Sequence, residues 1–375
     1  MKPVKIEHFL AYFSLIPDPR SLSRIRYQLI DILLLTVAGI MSGCECWDEI
    51  EDFGNDNIEW LKKHTKFTEQ APSSDTIRRV FERISPRAFH DVFMQWIKTV
   101  FGEKISGHIA IDGKKLRGSA INGKTALTLL SAFATENGGI CFAQEAVAEN
   151  SNEITAIPPL LDCLNLEGST VTIDAIGCQH EILEKIIEKK GDYVIAVKGN
   201  QPSLFQDVTT TFKHFCEYFK LDQKVYETND KKHGRIEKRI YRVISDIKWL
   251  PTIKEWPKIK SLIQVESHRT WNNKTSVEWR YFISSKISNA EEFGQIIRAH
   301  WSIENRLHWV LDVNFNEDRI DVVNRKSAQN LALVRKIALT LMRAEKPKNM
   351  SFKRQAKRYN RRPDMLFQTI EQQMV

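Results

Sequence analysis

Three acidic residues in this chain fall where a metal-dependent nuclease core needs oxygen ligands. Asp112 closes the apolar run His108-Ile109-Ala110-Ile111, and Asp174 closes Val171-Thr172-Ile173. Glu304 lies inside His300-Trp301-Ser302-Ile303-Glu304-Asn305-Arg306-Leu307-His308-Trp309, which reads as helix. Two aspartates at strand ends and a glutamate on a helix can gather hard ligands around a pair of divalent ions. Such ions cut and rejoin phosphodiester bonds by stabilising both the attacking and the leaving oxygen.

The neighbours of these acids bear on that chemistry. Asp112 is followed by Gly113-Lys114-Lys115-Leu116-Arg117-Gly118. Lys114, Lys115 and Arg117 would bring a polyanion toward the carboxylate, while the glycines let backbone approach it closely. An aspartate leaving a strand is also a common turn cap, so the basic residues carry the distinction. At 100° per residue, Ile296, Ile303, Leu307 and Val310 share one apolar arc, and His300, Glu304, His308 and Asp312 form a polar stripe beside it. The stripe has two readings besides metal ligation of Glu304: helix-stabilising pairs at i, i+4, or a His-x-x-x-Glu-x-x-x-His zinc site lacking its remaining ligands. Oxygen ligands at Asp112 and Asp174 favour magnesium or manganese over zinc. Lys198-Gly199-Asn200-Gln201 reads as a phosphate-contacting loop or a plain turn, with Lys198 and Asn200 as the contacts. Lys231-Lys232-His233-Gly234-Arg235 reads as a DNA-gripping loop or a solvated one, and Trp271 as a base-stacking or a core residue.

The elements that must position these residues follow from periodicity and punctuation. Residues 1–104 read as a helical N-terminal domain. It contains an apolar helix at Leu29–Met41, an amphipathic stretch at Trp47–His64, and helix starts at Ser73 and at Ser85-Pro86. Arg78 and Arg79, in the first turns of the helix after Ser73, could enter a DNA groove, or could simply face solvent. Residues 105–330 change to strands at Ile109–Asp112, Ala126–Thr135 and Ile140–Ala148, with Gly138-Gly139 as a hairpin signal. A helix over Ile154–Leu164, strand Thr170–Asp174, helix His180–Lys190 and strand Tyr193–Lys198 complete an α/β, RNase H-like mixed sheet. No Gly-x-Gly-x-x-Gly follows a strand, which excludes a Rossmann reading. Residues 200–285 read as an inserted β-rich subdomain, with a helix at Gln201–Lys220 and strands at Arg239–Ile244, Ser261–Glu266 and Ser276–Ser284. A helical, basic segment over 331–375 ends the chain.

Composition narrows the partners. The net charge is +8 over 375 residues, and the segment 343–362, with nine Lys or Arg and one Glu, holds that whole excess. Lys353, Arg354, Lys357, Arg358, Arg361 and Arg362 are its densest part, and a block of this kind releases counterions from a phosphate backbone. The six cysteines include no Cys-x-x-Cys pair, so neither a zinc ribbon nor a disulfide framework is expected. The start carries no apolar signal-peptide region, and Ile32–Met41 is too short to span a bilayer. A cytoplasmic protein without a membrane partner is expected.

With these segments in hand, the chain resembles the DDE transposases of bacterial insertion sequences, and within them the H-repeat-associated group. The resemblance rests on Asp-Pro-Arg at 18–20, Trp-Asp-Glu-Ile-Glu-Asp-Phe-Gly at 47–54, Ile-Asp-Gly-Lys at 111–114, Ser-Asn-Glu-Ile-Thr-Ala-Ile-Pro at 151–158, Ala-Val-Lys-Gly-Asn-Gln at 196–201 and the segment 300–309. It implies an acidic triad of Asp112, Asp174 and Glu304 holding two Mg²⁺ or Mn²⁺ ions per site. It further implies cleavage at element ends, strand transfer into double-stranded target DNA, and a homo-oligomer, a dimer on DNA. One departure stands out. The wider superfamily's Tyr-x-x-Arg-x-x-x-Glu-x-x-x-x-x-x-Lys pattern is occupied here by Ile297, His300, Glu304 and Leu311, so His300 takes the arginine's place as a phosphate contact. Two competing classes remain: a catalytically inactive DNA-binding relative, and a metal-dependent nuclease without strand transfer.

Overall fold

The protein is described by a computed structural model over residues 6–21, 23, 25–102, 107–120, 125–136, 138–215, 224–232, 234–319, 322 and 324–372. Its N-terminal part is helical: α1 (Ile6–Phe13), α2 (Leu29–Ser42), α3 (Trp47–Asp56), α4 (Ile58–Leu61), α5 (Ser74–Arg83) and α6 (Pro86–Phe101). The capping residues act as the sequence suggests. Ser73 accepts from the Thr76 amide and Ser85 from the Ala88 amide, each satisfying a donor that its helix leaves free. α2 is buried along nearly its whole length and ends at Gly43, whose φ of +100° suits a residue without a Cβ. No single described helix is long and apolar enough to cross a membrane.

The catalytic-type core is a mixed sheet. β1 (His108–Leu116) pairs antiparallel with β2 (Leu127–Ala134), and β2 pairs antiparallel with β3 (Ile140–Ala146). On its other edge β1 pairs parallel with β4 (Thr170–Ile173), and β4 pairs parallel with β5 (Asp192–Val197). Helix α7 (Glu153–Asp162) joins β3 to β4, and α8 (His180–Glu188) joins β4 to β5. The order β3-β2-β1-β4-β5 is the RNase H-like arrangement.

After α9 (Pro202–Thr210) come β6 (Lys224–Lys232), β7 (Arg235–Ile244), β8 (Ser261–Trp271) and β9 (Lys274–Ser284). The segment expected as an inserted β-rich subdomain is β-rich, and its strands continue the same sheet. β9 pairs antiparallel with β5, and the nine-strand order is β3-β2-β1-β4-β5-β9-β8-β7-β6. The reason lies in β5, whose free edge would otherwise leave a row of unpaired backbone groups. Of the helix expected over 201–220, the described part stays α-helical only to Thr210 and then widens over 211–215; residues 216–220 lie outside the described set. His233 of the expected gripping loop also lies outside it.

Helix α10 (Ala290–His300) runs across β1 and β4 and on to β6 and β7, so it ties the added strands to the core. Beneath it Phe293, Ile296 and Ile297 meet Val194, Tyr241, Val243, Ile263 and Val265 in a small apolar cluster. A wider π-type turn over Glu304–His308 leads into α11 (Trp309–Phe315). The last helices are α12 (Arg325–Glu345), α13 (Phe352–Arg361) and α14 (Pro363–Gln372). α12 packs on α2, α5 and α6 as well as β3, and α13 and α14 pack on α2. Both ends of the chain therefore build one helical bundle, and position 331 falls within α12 rather than between elements.

Candidate active site

Asp112 sits within β1, not at its end. The apolar run stops there because parallel pairing with β4 stops at Ala110–Thr172, whereas antiparallel pairing with β2 carries the strand on to Leu116. Asp174 does close β4. Its side chain accepts from the Ile176 amide at 3.0 Å and so caps the short turn that follows. Glu304 begins the widened turn after α10. Such turns shift the register of a helix face by one residue, which re-aims the side chains within them.

These three acids line one cavity of about 610 Å³, together with Lys198 and His300. At its wall Asp112 and Glu304 meet buried His308, each of the three offering one ligand atom within 4.8 Å of the others. His308 Nδ1 lies 3.5 Å from Asp112 Oδ2 and 3.4 Å from Glu304 Oε2. Its other nitrogen, Nε2, is buried without a hydrogen-bond partner among the described residues. Asp174 lines the cavity but stands outside this tight group.

The electrostatics are those of acids gathered closely. Burial pushes the Asp112 carboxyl up to about 6; His308 opposes the shift, and the charges of Asp174 and Glu304 add to it. The hydrogen bond from His308 holds Glu304 below the usual carboxylate range, against partial burial. Two carboxylate oxygens and one imidazole nitrogen converging in a partly buried spot suit a divalent ion.

A fourth acid stands here, one that in the sequence belongs only to the Ser-Asn-Glu-Ile-Thr-Ala-Ile-Pro run at 151–158. Glu153, the first residue of α7, lies so close to Gly113 that a Cβ at that position would sit 2.7 Å from its carboxylate. Burial raises the Glu153 carboxyl, with Asp174 adding to the effect and Lys115 opposing it. Nothing local in the sequence marks this approach, which is made by the end of a long side chain from another element.

The remaining expected residues divide. His300 Nδ1 bonds Thr172 Oγ1 at 2.9 Å, and the same hydroxyl meets His108 Nε2 at 2.7 Å, so His300 is anchored to β4 beneath the cavity. Burial pulls the His300 imidazole down to about 4, although Asp174 favours its charged form. A neutral ring there can hydrogen-bond a phosphate but brings it no charge. Asn200 donates to Ala175 O at 2.8 Å and thereby ties the loop after β5 to the loop carrying Asp174. Lys115 and Arg117 are exposed. Lys114 is not: it is 10% exposed and paired with Asp312 at 2.5 Å, Glu317 at 2.7 Å and Asp318 at 3.2 Å. It locks β1 to α11 and to the segment that follows it.

Arg78 and Arg79 lie on α5, paired to Asp75 and, for Arg78, also Glu82. Lys353, Arg354, Lys357, Arg361 and Arg362 are exposed on or just after α13, whose other face buries Gln355 and Tyr359. Arg358 is half-buried, with its guanidinium against the sulfurs of Met350 and Met365. None of these lines the carboxylate cavity.

Known proteins resemble this chain along most of its length. A family model described as "Transposase DDE domain" matches residues 103–341, and one described as "DDE_Tnp_1-associated" matches residues 10–97. "Putative transposase YncI" of Escherichia coli O157:H7 is 40% identical over 363 residues, covering 95% of this chain and 92% of that protein. "H repeat-associated putative transposase YhhI" of Escherichia coli K12 is 36% identical over 351 residues, covering 92% of each.

Proposed function

The chain belongs to the DDE-domain transposase family, and from that premise we propose that it cuts DNA at the ends of its element and joins the freed ends to target DNA. The observation that carries this reading is the convergence of Asp112 and Glu304 on one spot, with Asp174 lining the same cavity. Asp112, Asp174 and Glu304 would hold two Mg²⁺ or Mn²⁺ ions, with His308 beside Asp112 and Glu304. When bound, such ions stabilise charge on the attacking and leaving oxygens of an in-line displacement.

The protein's own groups prepare the site for that chemistry. The rigid ladder of β1 with β2 and β4 fixes Asp112, and the capped turn after β4 fixes Asp174. His308, buried beside both, sets Asp112 and Glu304 in relation to one another through a single ring nitrogen. Lys198, exposed at the cavity rim, and neutral His300 face the space where a scissile phosphate would lie. Outside the cavity, exposed Lys115 and Arg117 and the basic face of α13 would hold the flanking duplex.

The test is Asp112→Asn. Loss of cleavage by on the order of 1000-fold or more, with binding of the same DNA retained, is the expected result. Substantial metal-dependent cutting by that variant would sink the assignment.

A further inference from the structure

A second cavity adjoins the first and is built from arginine. It measures about 320 Å³ and is lined by Arg235, Arg239, Arg269, Arg280 and Arg298, with Trp301 at its edge. The added strands supply four of these residues, and α10 supplies Arg298. At its base lies Glu237, 5% exposed, whose carboxylate meets Arg239 at 2.7 Å, Arg269 at 3.0 Å and Arg235 at 3.4 Å. Together these three guanidiniums hold the Glu237 carboxyl below its usual range despite burial. One buried carboxylate thus fixes three forked donors toward a common space.

Charge is left over. Asp230 pairs with Arg239 and Arg298, and Glu278 with Arg269 and Arg280. Five guanidiniums face three carboxylates, so two positive charges are unneutralised. Arg235 and Arg298 keep much of their surface open, at 58% and 42% of the side chain. Pre-organised guanidinium forks with spare donors match phosphate oxygens better than they match a lone point charge.

Position decides which phosphate. Arg280, Phe282, Ile297 and Trp301 line both this cavity and the carboxylate cavity. Trp301 is half exposed, three residues before Glu304, and Arg280 lies over its ring at 5.3 Å. A strand leaving the carboxylates in this direction passes over Trp301 and reaches the arginines next.

We propose that the arginine cavity between β7–β9 and α10 binds a backbone phosphate of the DNA strand that runs out of the carboxylate cavity. This rests on the DNA-cutting reading above. The added strands are then a clamp on that strand and more than a cover for the β5 edge.

The test uses the full chain as Asp112→Asn, with a fluorescent duplex carrying a single-stranded tail of mixed sequence. Adding Arg235→Gln and Arg298→Gln is expected to weaken binding and to lower the slope of log affinity against log salt by about 1–2. An unchanged slope, with an unchanged melting temperature certifying the fold, overturns the proposal. Free inorganic phosphate separates the two sources of the anion. Weak competition supports the strand, whereas competition equal to that of the tailed duplex marks a small-anion site and overturns the proposal. Independently of any variant at the cavity, a photoreactive thymine analogue placed in the tail is expected to crosslink to the peptides holding Arg280 or Trp301. Crosslinks confined to α13 contradict it. Failure of the wild type to cut DNA at all would instead remove the underlying functional reading, so the two failures are distinguishable.

Discussion

In the metal-free protein the Asp112 carboxyl faces two other acids from a buried place, and its proton equilibrium makes that a stability statement. Its folded value of about 6 lies above the ordinary 3.8. Above about pH 6 it is charged in both folded and unfolded chains, and the folded state bears the cost. As pH falls from about 6 toward 4 the folded state takes up the proton first, so this cost disappears. Asp112→Asn is therefore expected to raise the melting temperature of the metal-free protein at pH 7 to 8, by about 2 °C or more, and the gain should fade toward pH 4. Added Mn²⁺ should raise the wild type's melting temperature at pH 7 and leave that of the variant nearly unmoved. A variant no more stable than wild type at pH 8 would contradict the burial argument. Lys114 carries a different prediction at the same scale. Lys114→Met strands Glu317, whose side chain is 1% exposed, and should destabilise the fold by about 3–5 kcal/mol in urea titration. A cost below about 1 kcal/mol would mean that the ion cluster is not held as described.

Among the elements, α10 matters most, because it reaches the sheet's core at one end and the added strands at the other, and then delivers Glu304. Phe293, fully buried beneath it, should cost about 3–5 kcal/mol as Phe293→Ala, read from denaturant midpoints. The core strands were legible in sequence because each is a short apolar run, and the helical region around Glu304 because Ile296, Ile303, Leu307 and Val310 recur on one arc. β6 was not, since Lys-Val-Tyr-Glu-Thr-Asn-Asp-Lys-Lys has no apolar face, as befits an edge strand defended by charge. The continuity of the sheet was also invisible, because pairing of β9 with β5 joins residues about 90 positions apart without a local signal. At the site, sequence put Asp112, Asp174 and Glu304 together through strand order and spacing. It could not find Glu153, whose place depends on the close approach of α7 to Gly113. Nor could it tell that Lys114 turns inward, since side chains at successive strand positions differ only by which face they meet.

For the molecule as a whole, two basic faces stand apart, the arginine cavity beside the carboxylates and the exposed side of α13, part of the segment 343–362 that alone holds the net charge of +8. The second should act on duplex DNA of any sequence. Lys353→Glu with Lys357→Glu is expected to weaken binding uniformly and to lower the salt slope by at least about 2, leaving the melting temperature unchanged because both side chains are exposed. An unaltered slope would remove α13 from the DNA-binding surface. The central claim is that Asp112, Asp174 and Glu304 form a single metal-dependent site that both cuts and joins. It is tested most directly by incubating the full chain with DNA bearing the sequences that flank its own gene, with Mg²⁺ or Mn²⁺, and resolving nicked from joined products. The wild type is expected to give nicks and joined products, and Asp112→Asn, Asp174→Asn and Glu304→Gln neither, although each still binds the DNA. Joined products from any one of those three variants at the wild-type level would contradict it.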